Sequence, residues 1–453
     1  MATEIQEMVE KGRKAMEQIK DYTQEQVDKL VYEGAKIIYK NAKPLAKMAV
    51  EETGLGYYED KIAKNVDTAA AFWDYLRDKK SVGIIEVNEE EKYMEIAHPA
   101  GVIACITPAT NPTVTPLGNF MHAIKCKDAC IISPAPRAAK TSTKTIELLR
   151  QALVENGAPA DLVQIVKDVT IAKSAELMSS CDLVIATGSS GLTKAAYSSG
   201  KPAYGVGPGN PPIIVDRGFD LDEAADLMFT AVGSDNGILC DGDNLTLYPE
   251  DEEKEFFEAL ERRGIKVFTD EAEIQKMRDA WFNEEGKLKS DLTGSNADVF
   301  MKAAGIDLPA DTKVVAIHVN VIGAADPMNQ EILGPIVSIK SYDTFENAVD
   351  MAIENMESSG GIGHTAGIFS NDQAHIEYYC ERIPVARVLI NQPTPDAWGP
   401  STNALSPAVS EGCGTWGNNI LCGNVDYKNC LNISRAVYKL DREPANAEEL
   451  FAD

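Results

Sequence analysis

No stretch of the 453-residue sequence approaches the roughly 20 unbroken apolar residues that a membrane-spanning helix needs. The opening segment, MATEIQEMVEKGRKAMEQ, lacks the apolar core and small-residue cleavage site of a secretory signal. It reads as the start of an amphipathic helix, and a cytoplasmic protein is expected. Basic charge is also short: 43 Lys and Arg against 70 Asp and Glu leave a net charge of −27. Most of this surface repels a nucleic-acid backbone or an anionic membrane, so no nucleic-acid or membrane partner is expected. Any anionic ligand must be held by local Lys, Arg and backbone N–H groups; for the charge as a whole, solubility is reason enough. Histidine is scarce at five, and the nine cysteines contain no C-x-x-C pair. A disulfide framework or a metal site is therefore not expected, and most cysteines should be small buried apolar groups in a reducing compartment.

What is present is ordinary globular material, 44% hydrophobic and 25% charged, long enough for two or three domains. Residues 3–50 carry apolar side chains at helical spacing, with Ile5, Met8, Val9, Met16 and Ile19 followed by Val27, Leu30, Val31, Ala35 and Ile38. SVGIIEV (81–87) and YMEIAHP (93–99) flank the charged turn NEEE and predict a hairpin. From residue 101, short apolar runs alternate with helix-like segments. GVIACIT, ACIISPA, LVQIV, DLVIATG and PIIVD read as strands, and 142–156, 171–179 and 191–199 as helices. That alternation is the mark of a parallel sheet with crossover helices, an α/β nucleotide-binding layout. A second alternation follows: NLTLYPE, a helix at 251–263, IKVFTD, KVVAIHV, IVSIKSY, a helix at 344–356, TAGIFS and RVLINQP. The expected division is a cofactor-binding domain over 1–230, with a bridging hairpin at about 81–99. A catalytic domain over 231–430 and a return segment with an acidic tail over 431–453 complete it.

Three segments carry chemistry. In SDNGILCDG, Gly237 permits a tight turn just before Ile-Leu and Cys240. A loop cysteine with its own N–H free suits a nucleophile whose adduct needs an oxyanion donor, although such a cysteine is also compatible with a structural role. In CITPATNPTVTP, Pro108 and Pro112 bracket a stiff turn that projects Asn111. Its amide is either an oxyanion donor or a turn residue bonding its own backbone. ATGSSGLTKAAYSSGK places Gly188, Ser189, Ser190 and Gly191 between a strand and a helix, where a pyrophosphate can approach a helix N-terminus.

Together TPATNPTVTP, SPAPRAAK, ATGSSG-x-x-KAAYSSGKPAYGVGPGN, DNGILC, GHTAGI, VLINQPTP and EGCGTWGNN resemble the CoA-acylating aldehyde dehydrogenases. These include the CoA-dependent succinate-semialdehyde dehydrogenases and the aldehyde half of bifunctional aldehyde–alcohol dehydrogenases. The motifs keep their order from about residue 25 to 440. The resemblance implies an aldehyde dehydrogenase-like α/β fold with a Rossmann-like cofactor domain, an α/β catalytic domain and a small β-element used in a homodimer or homotetramer. It implies NAD or NADP as cofactor, with a small aldehyde and coenzyme A as partners. Succinate semialdehyde is the first choice of aldehyde, followed by sulfoacetaldehyde and acetaldehyde.

By position, the resemblance makes Cys240 the nucleophile and Asn111 the oxyanion donor. Thr107, Pro108, Ala109 and Thr110 would lie along the nicotinamide, and Gly188 and Ser189 near the pyrophosphate. Ser133, Pro134 and Arg137 would border the adenosine ribose, and Glu331 in QEILGP would hold the nicotinamide ribose. His364 recurs in the family and would contact the thiol or the cofactor, unless it is a core histidine bonded to backbone. Arg387 would bind an anion or form an ion pair, and Trp398 and Trp416 would lie near the acyl pocket. Hydrolytic relatives carry a water-activating glutamate where G-V-G-P-G-N stands here, so Gly205 occupies that base's position. Without the base, a thioester on Cys240 should last until a thiol arrives. A hydrolytic enzyme and a catalytically silent shell or scaffold protein are the rival readings.

Overall fold

The computed structural model describes residues 2–309 and 311–452. The expected α/β fold is borne out. One sheet is five-stranded and parallel, in the spatial order Val163–Ile165, Ala129–Pro134, Val102–Thr107, Leu183–Thr187, Ala203–Val206. Its three long central strands are near-continuous apolar runs, as strands covered by helices on both faces must be. The second sheet is seven-stranded and parallel: Ile265–Phe268, Val314–His318, Ile336–Tyr342, Leu245–Pro249, Pro212–Val215, Gly363–Phe369, Val385–Ile390.

The expected boundary near residue 230 needs correction. Pro212–Val215, read in sequence as part of the first unit, pairs with Leu245–Pro249 and Gly363–Phe369 in the second sheet. Helix Leu221–Gly233 buries Ala224, Ala225 and Met228 in that sheet's core. The chain therefore crosses between sheets at 207–211. Apolar periodicity could not show this, because a buried parallel strand reads the same in either sheet.

The single helical run expected over 3–50 is three helices, Glu4–Ile19, Gln24–Lys40 and Ala42–Thr53. Thr3 and Thr23 each begin a helix through a reciprocal cap with the glutamine three residues on. Helix Val114–Lys125, buried at all twelve positions, was not legible in the sequence. With every side packed it has no polar face to set a period. Pro116 lies in its first turn, where a missing N–H has no intrahelical partner to lose.

The hairpin Gly83–Asn88 and Tyr93–Pro99 forms as expected and takes Leu431–Val437 as its third, antiparallel strand. Ile84, Val87, Ile433 and Val437 are exposed on it. No helix among the described residues is long and apolar enough to cross a membrane.

Candidate active site

A cavity of about 870 Å³ opens where loops of the two sheets meet. The first sheet supplies segments that follow its strands: Pro108, Thr110 and Asn111 after Thr107, Gly188–Ser190 after Thr187, and Gly207–Gly209 after Val206. Ligands of parallel α/β sheets bind at such carboxyl-end crevices. Facing them are the loop of Cys240, Glu331, and the segment 393–398 with Trp398.

The backbone ahead of Cys240 is unusual. Asp235, Asn236 and Gly237 have φ of 51°, 56° and 64°, a left-handed run that only Gly adopts without steric cost. Gly237 is confined further, since a Cβ there would stand 2.1 Å from the Gly334 carbonyl oxygen. The turn delivers Cys240 half-buried onto the cavity wall. No backbone acceptor among the described residues takes its N–H. Gly209 allows the loop from the first sheet to reach it: a Cβ on Gly209 would lie 1.8 Å from the Cys240 carbonyl oxygen.

Asp235 is fully buried and paired with two lysines of helix Tyr58–Leu76. Lys61 Nζ donates to Asp235 Oδ2 at 2.7 Å and to the Thr110 carbonyl at 2.6 Å. Lys64 Nζ donates to Asp235 and, at 3.0 Å, to Asn111 Oδ1. Burial works against the Asp235 carboxylate, but the two ammonium groups outweigh it and hold its pKa below the usual range. Burial and the neighbouring Lys64 charge bring Lys61 down to about 8. Neither lysine, nor Asp235, was singled out in the sequence. The available signal was a helix whose buried stripe includes Lys61 and Asn65 among alanines and Phe72, where solvent-facing charge is the norm.

His364, on strand Gly363–Phe369, is buried with Nδ1 against Thr365 Oγ1 at 2.9 Å. Burial, then the Arg387 charge, lowers its pKa well below the ordinary value, so the imidazole is neutral. It stands behind Cys240 rather than on the cavity wall. Arg387 makes no salt bridge among the described residues, although its charge acts on the buried Glu411 carboxyl. Its guanidinium donates to the carbonyls of His364 and Gly412, both at 2.9 Å, and to Asn424 Oδ1 at 2.9 Å. It clamps strand Glu411–Cys413 against the strand of His364. Glu411 joins Cys240 on the wall, and burial raises its carboxyl pKa. The carboxyl of Glu331 is pushed up to about 8 by burial.

Of the residues expected from sequence, Cys240, Asn111, Pro108, Thr110, Gly188, Ser189, Glu331 and Trp398 line this cavity. Thr107, Ala109, Ser133, Pro134, Arg137 and Trp416 do not. Thr107 and Pro134 are register partners at the same sheet edge, and Ser133 Oγ lies 2.9 Å from Ser174 Oγ. Arg137 and Trp416 are exposed. Gly205 also stands off the cavity: a Cβ there would meet Tyr197 at 3.0 Å and Thr193 at 3.1 Å. The Tyr197 hydroxyl brackets its backbone N–H and carbonyl at 3.2 and 3.1 Å. Tyr197 thus fills the space into which a side chain at Gly205 would extend.

The sequence profile of the aldehyde dehydrogenase family matches residues 1–278 and 314–401. The chain belongs to that family. The resemblance to its acylating branch is borne out as well. The acetylating succinate-semialdehyde dehydrogenase of Clostridium kluyveri is 41% identical over 434 residues, covering 96% of this chain and 95% of the relative. The acetylating aldehyde dehydrogenase of Geobacillus thermoglucosidasius superposes with a TM-score of 0.93 at 34% identity, covering 98% of each chain. A propionaldehyde dehydrogenase of Rhodopseudomonas palustris, solved with bound CoA and an acylated cysteine, gives a TM-score of 0.87 at 25% identity. That match covers 96% of this chain and 97% of the other.

Proposed function

We propose that this protein oxidises a small aldehyde to its acyl-CoA, reversibly, with NAD or NADP, through a thioester on Cys240. The observation that carries the reading is the convergence of Cys240 and Asn111 on one cavity beside the Gly188–Ser190 turn. The residues fit a nicotinamide dinucleotide. Ser189 caps helix Ser190–Tyr197 at the cavity edge, and the buried Thr107 hydroxyl at the neighbouring strand end has no partner among the described residues. When bound, the nicotinamide supplies the hydride acceptor. The chain's own residues do the rest. Cys240 Sγ attacks the carbonyl carbon, and the Asn111 amide and Cys240 N–H receive the oxyanion. The acyl group then rests on Cys240 until the thiol of coenzyme A displaces it. A thioester is exchanged for a thioester, so the step runs either way.

Among the candidate aldehydes, the charges around the cavity favour an uncharged one, of which acetaldehyde is the simplest, over succinate semialdehyde or sulfoacetaldehyde. The cavity lining carries Asp67, Asp396 and Glu411. Its lysine, Lys64, is engaged by Asp235 and Asn111, and the cavity's other lysine, Lys287, is exposed and paired with Glu285 at 2.8 Å. An anionic tail would find no free cation there among the described residues, and burying it unpaired is costly. Assembly as a homodimer or homotetramer through the exposed apolar hairpin sheet, in the cytoplasm, completes the proposal; the free sheet edge and its apolar side chains support that surface. A screen of small aldehydes with coenzyme A and each cofactor, following reduced nicotinamide, tests it. CoA-dependent turnover supports the reading, and free acid formed at an equal rate without CoA contradicts it.

A further inference from the structure

Glu411 stands beside the catalytic cysteine, buried, with one oxygen unsatisfied. It begins the short strand Glu411–Cys413, which pairs antiparallel with Cys422–Asn424 and is tied down by Arg387 through the Gly412 carbonyl. Its Oε2 makes no hydrogen bond among the described residues and lies 3.9 Å from His364 Nε2. Ligating atoms of Cys240, His364 and Glu411 all fall within 4.8 Å of one another. Buried carboxylate oxygens are normally satisfied by a donor. Within reach are the Cys240 thiol and His364 Nε2; a neutral imidazole N–H is a far weaker acid than a thiol, so the transferable proton is that of Cys240.

We propose that Glu411 is a catalytic residue that exchanges a proton with Cys240, accepting it as sulfur attacks the aldehyde and returning it when the acyl group leaves. This rests on the acylating reading above. In the first half, the Cys240 S–H bond breaks and an S–C bond forms. The proton goes to Glu411, and the carbonyl electron pair goes to the oxyanion held by Asn111. A bound nicotinamide would take up the hydride as the carbonyl re-forms, which leaves a thioester on Cys240 beside a protonated Glu411. In the second half, the thiolate of coenzyme A, its proton already released to solvent, attacks that carbonyl. The Cys240 S–C bond breaks, and the departing sulfur recovers the proton from Glu411. The sum is aldehyde, oxidised cofactor and CoA thiolate giving acyl-CoA and reduced cofactor, with both residues restored. A carboxyl that holds its proton during the thioester stage is no base for water, which agrees with an acyl group that waits for a thiol.

The electrostatics support the geometry. The groups facing Glu411 are Cys240 and Asp241 from the nucleophile loop, His364 and Arg387 from two strands of the second sheet, and Cys413 on its own strand. Burial lifts the Cys240 thiol well above its ordinary pKa, and Glu411 is the foremost charge acting the same way. Such a thiol does not ionise unaided near neutral pH, so its attack requires an adjacent base. Burial lifts Glu411 also, while Arg387 opposes it, which brings the carboxyl toward the range where a general base is effective. Asp241 is buried nearby, yet its carboxyl is not in the group that lies within 4.8 Å.

The test is Glu411→Gln, read in two assays on the full chain. Without substrate, iodoacetamide alkylation of Cys240 is followed from pH 6 to 10, in about one-unit steps. With aldehyde and oxidised cofactor but no CoA, the burst of reduced cofactor is followed by stopped flow. Removing the negative charge should lower the thiol's apparent pKa and speed alkylation at mildly alkaline pH. Removing the base should slow the burst at neutral pH by roughly 10²-fold. These are opposite changes, whereas damage to packing would depress both, and Glu411→Asp should recover part of the burst rate. A burst within about threefold of wild type, both rates falling together, or a burst lost in Asp241→Asn but kept in Glu411→Gln would overturn the proposal. A wild-type burst with an unaffected variant rejects Glu411 alone. No burst from wild-type enzyme with any aldehyde rejects the acylating reading and Glu411 with it.

Discussion

Lys64 Nζ donates to Asn111 Oδ1 at 3.0 Å, and an ammonium group only donates, so this bond settles which end of the Asn111 amide is oxygen. The amide nitrogen is thereby left to serve as donor at the cavity that Asn111 lines. Asp235, held by Lys61 and Lys64 together, belongs to the same turn that presents Cys240. One ion cluster thus orients the amide of Asn111, the proposed oxyanion donor, and anchors the backbone leading to Cys240, the proposed nucleophile.

Asn111→Ala should lower kcat by roughly 10²–10³ with the fold intact, the loss expected of one oxyanion donor. Lys64→Met, which leaves the amide in place but unoriented, should lower kcat about tenfold while the cofactor KM holds, and Lys64→Arg should restore part of the loss. Steady-state kinetics with saturating CoA measures both. A change below about threefold for Asn111→Ala would make it a turn residue only.

Asp235→Asn leaves two lysines beside a neutral group and should destabilise the protein by about 3–5 kcal/mol at neutral pH. The folded-state pKa of Asp235 lies below its usual value. Its contribution is therefore present above the ordinary carboxylate range and lost as pH falls through the folded value. Urea melts at neutral and acid pH should show a gap between wild type and variant that narrows in acid. A gap independent of pH would mean that the pair contributes packing and not charge.

Much of this arrangement was legible in the sequence. Cys240 and Asn111, which both line the cavity, could be singled out because a glycine turn and a proline-bracketed turn leave local signatures. Glu411, Lys64 and Asp235 were not, since each gains its meaning from partners far away in sequence. Lys64 contacts Asp235 across 171 positions, and Glu411 contacts His364 across the break between two strands. Strand and helix types were readable from periodicity, but the assignment of Pro212–Val215 to the second sheet depended on long-range pairing.

Gly205→Glu should not create a hydrolytic enzyme. The new side chain must displace Tyr197, whose ring lies 3.0 Å from the added Cβ. The expected outcome is lower thermal stability with no gain in CoA-free turnover, scored by free acid released. Multiple CoA-free turnovers by this variant would mean that the strand yields enough to carry a base to the thioester.

With butyraldehyde and succinate semialdehyde, which differ by a terminal carboxylate, the acidic wall predicts kcat/KM at least tenfold higher for the uncharged aldehyde, about 1.4 kcal/mol of discrimination. Initial rates at matched cofactor and CoA decide this. A preference for succinate semialdehyde would require a cation that Asp235 and Asn111 release.

The most direct test of the central claim is to mix enzyme with aldehyde and oxidised cofactor while withholding CoA. A thioester on Cys240 with no competent water should give a burst of reduced cofactor near one equivalent per active site, then slow turnover until CoA is added. Steady multiple turnover without CoA, yielding the free carboxylic acid at a comparable rate, would contradict it.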